Sequence, residues 1–130
     1  MTGVPVVVCE AGIDYDWAGG APVGIAVGVD DFSVRWTQVA DLVEGTYEFT
    51  TTSDDGVRVL VDGSAVIDNW TDHAVATDSV RMSMTGGPHT VVVEYYENGG
   101  SAVAQANYSA SSAPDCAEGE WTAEYFANKL

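Results

Sequence analysis

Residues 51–68 read TTSDDGVRVLVDGSAVID. From Val57 onward apolar and polar residues alternate, the period of a half-buried strand. Asp62-Gly63 interrupts the alternation. An Asp-Gly pair between two alternating runs signals a tight hairpin, because both residues tolerate positive φ. Asp54-Asp55 stands where the first of these strands should begin. In regular strand geometry two adjacent carboxylates point to opposite faces. The pair therefore reads first as turn chemistry, since Asp and Gly favour turns and the Asp oxygens accept local N–H groups.

The same period runs outward from this stretch. FSVRWTQVADL (32–42), GTYEFTTTS (45–53) and DSVRMSMTGG (78–87) each alternate, the last with Val80, Met82 and Met84 on one face. PVVVCEA (5–11) is a short apolar run of strand type, and HTVVVEYYENGGSAVAQANYS (89–109) reads as a hairpin or strand pair turning at Asn98-Gly99-Gly100. Short strands at this spacing, with 14 glycines to supply turns and no convincing amphipathic helix, predict an all-β antiparallel sandwich or barrel. SASSAPD (109–115) has the composition of a linker, and CAEGEWTAEYFANKL (116–130) then restarts with aromatic residues.

The bulk composition narrows the partners. The 130 residues suit one domain with a core of its own, and 46% hydrophobic content argues against disorder. Twenty acids face four bases, Arg35, Arg58, Arg81 and Lys129, for a net charge of −16. Such a surface repels phosphate backbones and anionic lipid, so neither nucleic acid nor membrane insertion is expected. Most of the acids read as a solubilising surface, while a few in the right place suit a hard cation such as calcium, which takes oxygen ligands. The N-terminus lacks the basic region of a signal peptide, so any export signal was removed or lay elsewhere in a longer protein.

Cys9 and Cys116 match no metal spacing. They read as a disulfide if the protein is extracellular, or as two buried thiols. An enzyme is not expected. His73 and His89 sit in no metal motif, and there is no nucleophile elbow, P-loop or nucleotide fingerprint. ENGG (97–100) reads, like SDDG (53–56), as a turn. Together the two offer loops that converge on one cation, with carboxylates from Asp54 and Asp55, an amide oxygen from Asn98 and exposed carbonyls from the glycine-rich loop.

DDFSVRWTQ (30–38), GTYEFTTTSDDGVRVLVDGSAVIDNWTDH (45–73) and GGPHTVVVEYYENGGSAVAQANY (86–108) resemble, in order and spacing, successive signatures of the PA14 domain. IDYDWAGGAP (13–22) resembles the segment that precedes them. This β-sandwich module occurs in the anthrax protective antigen, in adhesins and in some glycosidases. Its usual opening segment resembles EWTAEYFANKL, followed by a strand like TGVPVVV; here the opening segment comes last. The resemblance therefore implies a circularly permuted register, from a repeat cut at a shifted boundary or from a permutant. Residues 1–130 would form a single domain, with a main body at 1–108, the linker at 109–115 and the permuted opening segment at 116–130. That segment would pack on its own chain or on a neighbour, and Cys9 would bond Cys116 across the join.

In sugar-binding members the aspartates matching SDDG are joined by a cis peptide bond and both bind calcium. The resemblance thus implies a Ca2+ site made by Asp54, Asp55, the Asn98 side chain and the carbonyls of Gly100 and Ala102. The ion would coordinate vicinal hydroxyls of a terminal sugar, with Gly99 and Ser101 beside it, Trp70 and His73 as a rim, and Tyr96 and Gln105 as weaker candidates. The implied function is a calcium-dependent carbohydrate-binding module of an extracellular or cell-surface protein, with glycans as partners. The alternative is a structural repeat or self-assembly module that associates with neighbouring PA14 repeats or head-to-tail with itself.

Overall fold

The computed structural model describes residues 1, 3–110, 119–121, 123 and 125. They form eight strands: β1 Ile13–Ala18, β2 Phe32–Leu42, β3 Gly45–Asp54, β4 Val57–Val61, β5 Ser64–Asn69, β6 Ala76–Met84, β7 Gly87–Glu97 and β8 Ala102–Ala110. Two antiparallel four-stranded sheets result, in the orders β1-β8-β3-β6 and β2-β7-β4-β5. Among the described residues no helix is long and apolar enough to cross a membrane.

The alternation read in the sequence is what fills the space between the sheets. Tyr47 and Phe49 of β3, Val57, Val59 and Val61 of β4, and Val91 and Val93 of β7 face inward and pack with Ile67 and Met84 in one buried cluster. Burying an aliphatic or aromatic side chain of this size contributes about 1.5–3 kcal/mol, so the faces bind the sheets together. The β4–β5 turn is the expected one, with positive φ at both Asp62 (50°) and Gly63 (84°).

Other expectations change. PVVVCEA (5–11) forms no strand: β1 begins at Ile13, and Val6, Val7 and Val8 are exposed. Pro5 has no N–H to donate, and among the described residues no strand pairs with this segment. Asn98-Gly99-Gly100 is not a hairpin turn. β7 lies between β2 and β4 in one sheet and β8 between β1 and β3 in the other, so the segment crosses from sheet to sheet. Turn chemistry at Asn-Gly-Gly specifies a reversal but not which sheet receives the next strand. β8 also carries through Ser109 and Ala110, two residues into the stretch read as linker. Cys116 and most of the opening segment at 116–130 lie outside the described residues, and with them the disulfide and the permuted closure. Cys9 itself is exposed, which removes it from the buried-thiol reading.

Where β1 and β2 edge the sandwich, a cavity of about 630 Å3 opens between the sheets, lined by Val7, Cys9, Trp36, Phe49, Val93 and Tyr108 among others. At the end bearing the β4–β5 turn, buried His89 places Nδ1 2.6 Å from Asp62 Oδ2 and Nε2 2.7 Å from the Thr85 carbonyl. A carbonyl oxygen and a carboxylate both accept, so an acceptor faces each ring nitrogen and the imidazolium form is favoured. The Asp62 bond, then the Thr85 carbonyl, raise the His89 pKa above its ordinary 6.5. The same His89 bond, then the Thr90 N–H, lower that of Asp62 below 3.8.

The signs give a pH window. A raised histidine pKa contributes stability that is whole below the unfolded value and lost as pH rises through the folded one. A lowered aspartate pKa contributes stability present above its unfolded value and lost as pH falls through the folded one. Paired melts are expected to show the wild type gaining most over His89→Gln between about pH 4 and 6.5, and losing that advantage as pH rises from there through the raised folded value.

Candidate metal centre

The topology itself brings two loops together. β3 pairs with β8, placing Asp54 opposite Val103, and β4 pairs with β7, placing Val57 opposite Tyr95. The β3-to-β4 connection at 55–56 and the β7-to-β8 connection at 98–101 both cross between the sheets, so they run side by side at one end of the sandwich. The Asp54–Asp55 peptide bond is cis. Gly56 follows it because a Cβ there would lie 2.1 Å from the Tyr96 ring, and the Tyr96 backbone N–H donates to the Gly56 carbonyl at 3.0 Å.

Asp54 is half-buried, Asp55 is 6% exposed and Glu97 1% exposed. One carboxylate oxygen of each lies within 4.8 Å of those of the other two. Oxygens bound to one calcium at about 2.5 Å are no more than ~5 Å apart, so these three are spaced for a single ion. Asp55 holds the loops in register: its Oδ2 accepts from the Asn98 N–H at 2.9 Å and its Oδ1 from the His73 N–H at 3.3 Å. Tyr95 lies beneath and donates its hydroxyl to the Asp54 carbonyl at 2.6 Å and to Glu97 Oε2 at 3.1 Å. Glu97 Oε1 is buried and meets no donor at hydrogen-bonding geometry, the nearby Gly99 N–H acting on the carboxylate only as the weakest of its electrostatic neighbours.

The electrostatics are those of negative charge gathered without a counter-ion. Burial is the first cause that raises the Glu97 pKa. The Tyr95 hydroxyl opposes it, the charges of Asp55 and Asp54 add to it, and the Gly99 N–H opposes it. Burial, then Asp55, raise that of Asp54, against His73 and the Val75 N–H. Burial and the same acids push the Tyr95 phenol up as well, so it stays a donor. Arg35 and Arg58 are engaged by Glu94, and Arg81 by Glu48. Among the described residues no arginine or lysine bonds to the three carboxylates. An all-oxygen donor set around an unsatisfied buried carboxylate oxygen fits a hard cation such as Ca2+.

The PA14 domain family matches residues 11–120. The chain belongs to the PA14 domain family. It is 37% identical over 102 residues to the anti-sigma-I factor RsgI3 of Acetivibrio thermocellus, over 77% of this chain but only 16% of that protein. A solved anti-sigma factor domain-containing protein is 34% identical with a TM-score of 0.75, covering 83% of this chain and 38% of the other. The PA14 sugar-binding domain from an RTX adhesin is 30% identical with a TM-score of 0.59, covering 64% and 48%. This PA14 domain thus spans well under two thirds of the length of each of these three relatives.

Of the residues expected to build the site, the PA14 fold brings Asp54, Asp55 and Asn98 together. Gly99, Gly100 (φ 89°) and Ser101 line the exposed part of the second loop, while Ala102 is fully buried at the start of β8. Trp70 is committed within the protein: its ring stacks under the Arg58 guanidinium at 4.2 Å and meets Tyr96 edge-on at 4.8 Å. His73 serves the site through its backbone N–H, and its ring Nδ1 bonds the Ala74 carbonyl at 2.7 Å. Gln105 does not join the site, because its amide donates to Asp14 on the outer face of the β1–β8 pair.

Glu97 is a member that the motifs do not mark. Its signal is phase: Val91, Val93 and Tyr95 alternate inward, and the next inward position is Glu97. A carboxylate in an inward register at a strand end asks for a partner. Asp72, exposed in the loop between β5 and β6, is a second residue to which the sequence reading gives no role.

Proposed function

We propose that this PA14 domain is a calcium-dependent carbohydrate-binding module, not an enzyme, in a secreted or cell-surface protein. Asp54, Asp55 and Glu97 would hold the ion, completed by the Asn98 side chain and carbonyls of the 98–102 loop. When bound, the calcium supplies open coordination positions for vicinal hydroxyls of a terminal sugar. The observation that carries this reading is Glu97 Oε1, buried and unpartnered beside two further carboxylates. The sugar-binding domain of the RTX adhesin supports a glycan as ligand. The anti-sigma factor relatives support a regulatory setting, in which glycan occupancy is passed to a fused regulator. A shallow surface site buries little area, so one monosaccharide binds weakly and repeats supply avidity.

Calorimetric titration of the wild type with calcium, followed by a glycan array with calcium and with chelator, tests the proposal. One-site saturable calcium binding and glycan binding only in calcium are expected. Absence of calcium binding would reject it.

One observation favours a second reading, an assembly module. The cavity at the β1–β2 edge opens on apolar surface, while Trp121 and Tyr125 are 91% and 95% exposed. An aromatic segment of the same or another copy would fill it. Concentration-dependent oligomers in light scattering, unaffected by sugar, would support this reading over the first.

A further inference from the structure

Asp72 lies within the 45–73 stretch but carries no ligand role in the sequence reading, yet both its carboxylate oxygens are engaged. Oδ2 accepts from Asn98 Nδ2 at 2.8 Å and Oδ1 from the Tyr96 hydroxyl at 2.7 Å. Tyr96 is itself fixed, with its N–H on the Gly56 carbonyl and its ring against Trp70. Asp72 is therefore held in place from the side away from Asn98.

A carboxylate accepts and cannot donate, so only the NH2 end of the Asn98 amide can face Asp72. That choice leaves Oδ1 as the free end of the side chain. The Asn98 backbone N–H is meanwhile committed to Asp55 Oδ2, so the residue is tied both to the carboxylate cluster and to Asp72. An amide turned the other way would offer N–H donors, which repel a cation.

We propose that Asp72 is a positioning residue. It selects the Asn98 amide orientation that leaves Oδ1, rather than NH2, to meet a cation held by Asp54, Asp55 and Glu97. The proposal rests on the calcium reading above and adds a residue that touches neither the ion nor the sugar. Outer-shell partners of metal ligands typically tune metal affinity by 10- to 100-fold. Asp72 is exposed, which places its effect near the lower end.

The test is a double-mutant cycle read by calcium calorimetry on the wild type, Asp72→Asn, Asn98→Asp and the double variant. An asparagine at position 72 offers either a donor or an acceptor, so it no longer dictates the amide. An aspartate at position 98 has no NH2 end, so there is nothing left to orient. Asp72→Asn is expected to weaken calcium binding about tenfold when position 98 is the native asparagine, and to leave it unweakened when combined with Asn98→Asp. In chelator, the Asn98 side-chain amide protons are expected to exchange slowly in the wild type and fast in Asp72→Asn. Equal weakening in both backgrounds would mean that Asp72 acts through its charge alone and would overturn the proposal. Unchanged affinity with Asn98 present would overturn it as well. A wild type that binds no calcium rejects the ion reading itself, a result distinct from either.

Discussion

Asp55→Ala is expected to weaken calcium binding by about two to three orders of magnitude, the largest effect of any single change in this domain. Removing one partner of a buried ion pair costs about 3–5 kcal/mol, and here the partner left under-compensated is the bound cation. Asp55 does more than offer an oxygen. It accepts from the backbone of both neighbouring loops, at His73 and Asn98, so its loss also releases the Asn98 loop from the Asp54–Asp55 turn. At calcium a hundredfold above Kd, the wild type should gain about 2.7 kcal/mol over the chelated protein. For a chain of this length that is roughly 10 °C in Tm. The variant should melt at the same temperature in calcium and in chelator. A preserved calcium increment would remove Asp55 from the site.

Glu97→Gln is expected to change sign with the metal. In chelator the wild type buries the Glu97 carboxyl beside two others, where burial and their charges disfavour its ionised form and one oxygen is unpartnered. The glutamine removes that charge, keeps an acceptor for the Tyr95 hydroxyl and brings donors toward Asp54 and Asp55. The chelated variant should therefore be more stable than the chelated wild type by about 1–3 kcal/mol, the range of an unsatisfied buried polar group. In calcium the order should reverse, because the amide brings no negative charge to the ion. Thermal melts of both proteins in both buffers check this. A variant that is less stable in chelator would mean that Glu97 is a structural partner of Tyr95 and not a residue kept for an ion.

The two predictions draw on different kinds of information. Asp55 was legible in the chain, because adjacent aspartates before a glycine at a strand start are conspicuous and resemble a known calcium loop. Glu97 was legible only in principle. Its inward phase follows from Val91, Val93 and Tyr95, but phase alone does not say that Asp54 and Asp55 wait at the same depth. Trp70 carries information of another kind: an aromatic residue near the predicted loops, only partly exposed, also packs against Arg58 and Tyr96. Composition cannot separate those fates, since both place an aromatic ring at the edge of the fold.

The sequence by itself determined an all-β antiparallel fold, the strands from β2 through β8 and the Asp62-Gly63 hairpin, because alternation and turn chemistry are local and survive in one dimension; the sandwich and the family came from the resemblance of its motifs. What only the tertiary structure decided is which turns stay within a sheet and which cross. SDDG and ENGG carry the same turn-forming residues as true hairpin loops, yet each joins one sheet to the other. Sheet membership depends on which faces bury each other across the core, a long-range choice that no four-residue segment encodes. That choice sets Glu97 beside the aspartates and Asp72 behind Asn98, and so turns two ordinary loops into one site.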